Sequence, residues 1–211
     1  SVIVIVVCLT IFLAVLIDNS SICAESYSVS LEDLTFSVRI VLLSDLPGKS
    51  FGRENSRLIA TIQEQSPDVI FLDGDMIDRS ADQTDVQELL RLIERLHEIA
   101  PVYFAPGNHE LEYMQTDASL LTQVAEAGAV VVNDSYVDVT IAGQPLRIGG
   151  TMGHAFDFGR SEEEFSSSPE YRFLKEFEDT DVPKICLAHM PDTFIFNGAY
   201  NLWNVDLVLS G

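Results

Sequence analysis

Short apolar runs alternate with segments of helical period along most of this chain. "FSVRIVLLSD" predicts a strand and "RENSRLIATIQEQ" a helix; "DVIFLD" predicts a strand and "TDVQELLRLIERLHEIA" a helix, with Val86, Leu89, Leu90, Ile93 and Leu96 on its apolar stripe. "PVYFAPG" then predicts a strand and "DASLLTQVAEAG" a helix closed by Gly128. "AVVVND" continues the alternation, and "SYVDVTIAGQPLRIGG" reads as a hairpin turned at Ala142-Gly143. A further helix is expected near "PEYRFLKEFED", and the strands "KICLAH" and "VDLVLSG" close the sequence. The runs "RIVLL", "VIFL", "VYFA" and "ICLA" are apolar at successive positions. Strands covered on both faces look like that, and parallel sheets of α/β proteins are covered on both faces. The chain shows no internal repeat and no low-complexity tract.

The first residues break this pattern. Residues 2–17 carry no charge and almost no polar group, and as a helix they would reach about 24 Å, a little short of a ~30 Å bilayer core. Residues 1–24 are therefore expected to be a signal peptide or membrane anchor, with a candidate cleavage point after Ala24, and are set apart from the fold. Residues 25–36 read as a linker and residues 37–211 as one domain. The location this predicts is the cell membrane or the extracytoplasmic side.

Charge narrows the function. The 211 residues carry 33 acidic against 12 basic side chains, a net −21. Such a surface repels polyanions at long range, so no nucleic-acid partner is expected. Of the three cysteines, Cys8 and Cys23 lie in the leader and Cys186 stands alone in the domain, which excludes an intrachain disulfide framework there.

Polar groups gather where the predicted strands end. Asp45 follows the first strand, Asp73, Asp75 and Asp78 the second, Asn108, His109 and Glu110 the third, and His189 follows "ICLA". Each alone suits an ordinary role: Asp45 a turn or cap, Asp75 an Asx-turn, Asn108 the generic turn "PGN", His189 a satisfied structural histidine. Together they arrive on successive strands, at the carboxyl ends where ligands of open α/β sheets bind. Carboxylates, an amide oxygen and an imidazole form a mixed O/N set suited to divalent transition metals. His97, on a charged helix face, and His154, in a Gly-rich loop, fit structural roles better. "LPGKS" raises a rival, a nucleotide-binding P-loop, but its first glycine is replaced by Leu43.

"SDL", "GDMID", "GNHE" and "LAHMPD" resemble the calcineurin-like metallophosphoesterase family, particularly its bacterial, membrane-associated single-domain members, over residues 37–211. The resemblance implies an αββα sandwich carrying two divalent metal ions of the Mn, Fe or Zn class. Carried over by position, Asp45 would ligate the first metal, Asp75 would bridge both, and Asn108 and His189 would ligate the second. His109 would stand beside the leaving-group oxygen with Asp78 orienting its ring. The implied reaction is hydrolysis of a small-molecule or lipid-linked phosphoester by metal-activated hydroxide. Two departures stand out. The family's first motif is Asp-x-His, and Pro47 occupies the histidine position; "DLVLSG" runs in the family into Gly-His-x-His, whereas Gly211 is the last residue. The last strands are expected to be missing, the second metal site to be better retained than the first, and activity to be impaired. The alternative is a non-catalytic relative serving as a membrane-tethered or exported binding domain.

Overall fold

The computed structural model describes residues 4, 22–31, 34–153, 166–195 and 202–211. Nearly all of the expected leader, including residues 5–21, lies outside them, as does His154. Among the described residues no helix is long and apolar enough to cross a membrane.

Among the described residues, eight strands form two four-stranded sheets. In the first, β1 (Ile40–Leu43), β2 (Val69–Asp73), β3 (Val102–Ala105) and β4 (Ala129–Val131) lie in that order, all parallel. In the second, β5 (Ser135–Ile141) pairs antiparallel with β6 (Gln144–Thr151), and β7 (Lys184–Ala188) and β8 (Leu207–Leu209) continue in parallel. Parallel pairing needs crossover segments, and the sequence supplies helices for them. These are α1 (Ser56–Gln65), α2 (Gln83–His97), the short α3 (Asn108–Tyr113), α4 (Leu120–Glu126), α5 (Pro169–Phe177) and the single turn α6 (Asp192–Ile195). Asp82 starts α2 by accepting hydrogen bonds from the Thr84 and Asp85 amides, while the Asp85 carboxylate accepts from the Asp82 amide.

Strand alternation sorts the core into layers. Val69 and Phe71 of β2 meet Ile148, Ile185 and Leu187 of the second sheet in a seam between the sheets. Ile70 and Leu72 face the other way, under Leu58, Ile62, Leu89 and Ile93 of α1 and α2. On the outer face of the second sheet, Cys186 and Ala188 pack under Phe173, Leu174 and Phe177 of α5. The layers are helix, sheet, sheet, helix: the αββα sandwich expected.

β2, β3 and β7 are buried throughout, as their unbroken apolar runs predict. β1 corrects that reading. "RIVLL" was expected to be covered on both faces, but β1 is an edge strand that pairs with β2 alone among the described strands, and Leu42 is 37 % exposed. A run of large aliphatic residues reports strand propensity as well as burial, and the two are not separable from one strand's composition. The short helices α3 and α6 were not foreseen; each is too short for a 3.6-residue period to register.

The lead-in is tied to the domain. The amides of Thr35 and Phe36 both donate to Gln144 Oε1 at the start of β6. Next to that glutamine the β5–β6 hairpin turns on Ala142 and Gly143, at φ 50° and 82°. Two positive φ angles are what a two-residue hairpin loop demands, and a non-glycine side chain at the first is strained unless it is Asn or Asp. Ala142→Asn is expected to stabilise the domain by about 1 kcal/mol, read as a higher urea midpoint at unchanged m-value.

Candidate metal centre

The carboxyl ends of β1, β2, β3 and β7 meet at one rim, and the backbone there is cross-tied. The amides of Asp45 and Leu46 donate to the carbonyls of Gly74 (3.2 Å) and Asp75 (3.0 Å), which fixes the loop after β1 against the loop after β2. The Ser44 hydroxyl bonds to the Asp73 carbonyl at 2.8 Å and to Asp45 Oδ2 at 2.9 Å. Asp45 and Asp75 both sit at positive φ, 53° and 52°, a conformation that Asp tolerates better than most residues. Gly74, at φ 76°, packs so closely that an added Cβ would stand 2.6 Å from Gly107 Cα and 2.7 Å from His189 Cγ. Only glycine lets three strand ends approach that closely.

Glu110 holds the loop from below. It is fully buried, and its carboxylate accepts from the amides of Asp75 (2.8 Å), Met76 (2.7 Å), Ile77 (3.1 Å) and Gly107 (2.9 Å). Burial pushes its pKa up, and these N–H groups pull against that shift. "GNHE" flagged the residue without assigning it a role. The signal lay in its place three residues after Gly107, where a glutamate reaches back to the amide preceding a helix.

Asp75 is the hub. Its Oδ1 accepts from the His109 amide at 3.0 Å, and its Oδ2 lies 3.4 Å from His189 Nε2 and 3.5 Å from His109 Nδ1. His189 Nδ1 faces the Asp73 carbonyl at 2.8 Å. A proton on Nδ1, donated to that carbonyl, leaves Nε2 with its lone pair toward Asp75, the tautomer a metal ligand needs. Asp45, Asp75 and His189 each offer one ligand atom, all within 4.8 Å of one another.

The other expected residues stand around this group in different ways. Asn108 is half-buried at the start of α3, between Gly107 and His109, both of which press on Asp75. The His109 ring faces Asp75. Asp78 Oδ1 binds the Ser80 amide (2.8 Å) and hydroxyl (2.5 Å), and those bonds hold its pKa below the ordinary carboxylate range, with His109 a smaller influence. Asp73, which the sequence placed at the rim without a role, is fully buried, and neither side-chain oxygen has a hydrogen-bond partner. Burial pushes its pKa to about 7, His189 pulling down and Asp45 pushing up.

"LPGK" is a tight turn: the Lys49 amide donates to the Leu46 carbonyl at 3.3 Å, with Gly48 at φ 60°. Proline second and a positive-φ glycine third suit a type II turn. Helix begins only at Arg53, after Gly52, so Lys49 and Ser50 do not open a helix as a phosphate-cradling loop requires. Pro47 offers the rim no ligand atom.

A model of the calcineurin-like phosphoesterase family matches residues 38–211. This chain belongs to that family. The uncharacterized metallophosphoesterase Cj0846 of Campylobacter jejuni is 29% identical over 197 residues, covering 89% of this chain and 46% of that protein. YkoQ of Bacillus subtilis, also an uncharacterized metallophosphoesterase, is 26% identical over 114 residues, 54% of this chain and 42% of that one. The chain thus spans less than half the length of these curated relatives. Among solved structures it is similar to the phosphopantetheinyl hydrolase PptH of Mycobacterium tuberculosis, with TM-score 0.46 and 18% identity over 79% of this chain and 75% of that one. It is also similar to TT1561 of Thermus thermophilus, with TM-score 0.47 and 21% identity over 72% of this chain and 68% of that one.

The Glu110 cradle generates the first test of this family member's rim. Glu110→Gln keeps the shape but turns an NH₂ group toward amides that need an acceptor. It is expected to cost about 3 kcal/mol of unfolding free energy, since buried donors lose their partners. A urea midpoint equal to that of the unaltered chain would show that the cradle carries no such weight.

Proposed function

We propose that this domain is a divalent-metal-dependent phosphoester hydrolase, with Asp45, Asp75, Asn108 and His189 holding the metal and His109 serving the leaving group. The observation that carries the reading is the convergence of Asp45, Asp75 and His189 from three separate strand ends to within 4.8 Å. The donors fit such an ion. Two carboxylates and an imidazole suit Mn, Fe or Zn, and the rim is acidic with no lysine or arginine pairing to Asp45, Asp73 or Asp75 among the described residues.

Bound divalent cations would polarise the phosphoryl oxygens and lower the pKa of a bound water. The protein's own part is positional. The Glu110 cradle fixes Asp75, so that Oδ2 stays turned toward both imidazoles while Oδ1 takes the His109 amide. The Asp73 carbonyl fixes the His189 tautomer. His109, held by its amide to Asp75, carries a ring able to give a proton to the departing alkoxide. Asp78 adds negative charge near that ring. A small or lipid-linked phosphoester suits the net charge of the chain better than a nucleic acid does. The uncharged residues 2–17 support a location in the membrane or outside the cytoplasm.

Pro47 favours a second reading, a relative that keeps the fold without the chemistry, because it removes an imidazole from the first metal position. Metal content separates the two. The hydrolase reading expects Mn²⁺ to bind the unaltered chain and Asp75→Asn to abolish binding; a chain that binds none is the scaffold. With Mn²⁺, slow hydrolysis of bis(p-nitrophenyl) phosphate is expected, lost on chelation. His109→Ala is expected to lower kcat about 100-fold or more with Mn²⁺ affinity unchanged. Pro47→His is expected to raise Mn²⁺ affinity about ten-fold or more, the scale of a ligand-sphere change. Fast turnover by the unaltered chain would refute the impairment.

A further inference from the structure

The Asp73 carboxylate is a polar group of this rim that no hydrogen bond among the described residues accounts for. Its two oxygens are buried without a donor. A buried carboxylate in that state costs several kcal/mol, and folded proteins keep such groups when a cation or donor compensates them. Strand alternation shows where it points. Val69 and Phe71 face the seam between the sheets, so Asp73, two further on, faces it too. His189 has the same bearing from the other side, two residues beyond Leu187, which also faces the seam.

The residue also lies beneath both neighbouring ligands. Its carbonyl receives His189 Nδ1 at 2.8 Å and the Ser44 hydroxyl at 2.8 Å, and that hydroxyl reaches Asp45 Oδ2. Pro47 meanwhile leaves the first metal position one ligand short. We propose that Asp73 supports the metal-binding set from the floor of the rim, a buried carboxylate behind Asp45, Asp75 and His189 whose charge a cation held by those three neutralises, in partial replacement of the imidazole absent at position 47. The assignment rests on the metal-centre reading above and deepens it.

Isothermal titration of the full chain with Mn²⁺ alone tests this, comparing the unaltered protein, Asp73→Asn and Asp75→Asn. Asp73→Asn keeps the volume and removes the charge. It is expected to bind Mn²⁺ at least ten-fold more weakly. Without metal, its melting temperature should equal or exceed that of the unaltered chain, because an uncompensated buried charge has gone. A purely structural aspartate predicts the reverse, a lower metal-free melting temperature with affinity intact. A loss of affinity smaller than ten-fold overturns the proposal while leaving the metal centre standing, provided Asp75→Asn abolishes binding. Absence of Mn²⁺ binding by the unaltered chain overturns both. Should Asp73→Asn fail to fold, Asp73→Ser is read by the same affinity criterion.

Discussion

One buried carboxylate receiving four backbone amides organises this rim. Glu110 joins the loop after β2 to the loop after β3, through the amides of Asp75, Met76, Ile77 and Gly107. Amides at a tight turn cannot pair with a sheet ladder, and buried amides left alone are expensive. A single side chain satisfying all of them both makes the turn possible and selects its shape. Asp75 inherits its orientation from that shape, and the distances to His189 and His109 follow. The close approach at Gly74 belongs to the same constraint: a side chain there would push β3 and β7 off β2.

Negative charge accumulates at this rim against ordinary electrostatic preference. Asp45, Asp73, Asp75 and Glu110 come together where the described residues supply imidazoles, amide dipoles and the Ser44 hydroxyl in return. Structural acids are usually answered by a base, as Asp138 is by Arg147 at 2.7 Å and Asp206 by Lys184 at 3.1 Å. Those pairs stitch strands and helices elsewhere in the second sheet. The rim has no such base among the described residues, an arrangement that would favour a bound cation at the expense of metal-free stability.

The layers were legible in the sequence because burial leaves a period. Successive apolar residues marked β2, β3 and β7, and the stripe from Val86 to Leu96 marked α2. The edge position of β1 was not legible, since edge and centre share the same aliphatic vocabulary. Asp45, Asp75 and His189 were legible as a set through motif spacing, and the structure draws them together. Hydrogen-bond partners were not. The family resemblance set Asp78 against the His109 ring, and in the structure Ser80, two residues on, takes its oxygen, because a local hydroxyl and amide cost little entropy to engage. Asp73 was placed at the rim but given no role for a related reason. Whether an aspartate has a partner is a property of three dimensions, and "LDGD" reads the same either way.

The turn at Pro47 links these observations. Histidine at that place would demand a backbone that carries its ring back to the rim. Proline followed by a positive-φ glycine sends the chain outward and around, closed by the Lys49 amide on the Leu46 carbonyl. Against the Asp-x-His motif that the resemblance implies, this turn offers no ligand atom at position 47. Yet Asp45 keeps its place, because its position depends on amide bonds to Gly74 and Asp75 rather than on the turn beyond it. A rim anchored from the β2 side can lose one ligand from the β1 loop without losing its geometry. That independence is what leaves room for a carboxylate on β2 itself, Asp73, to take up part of the vacated electrostatic work.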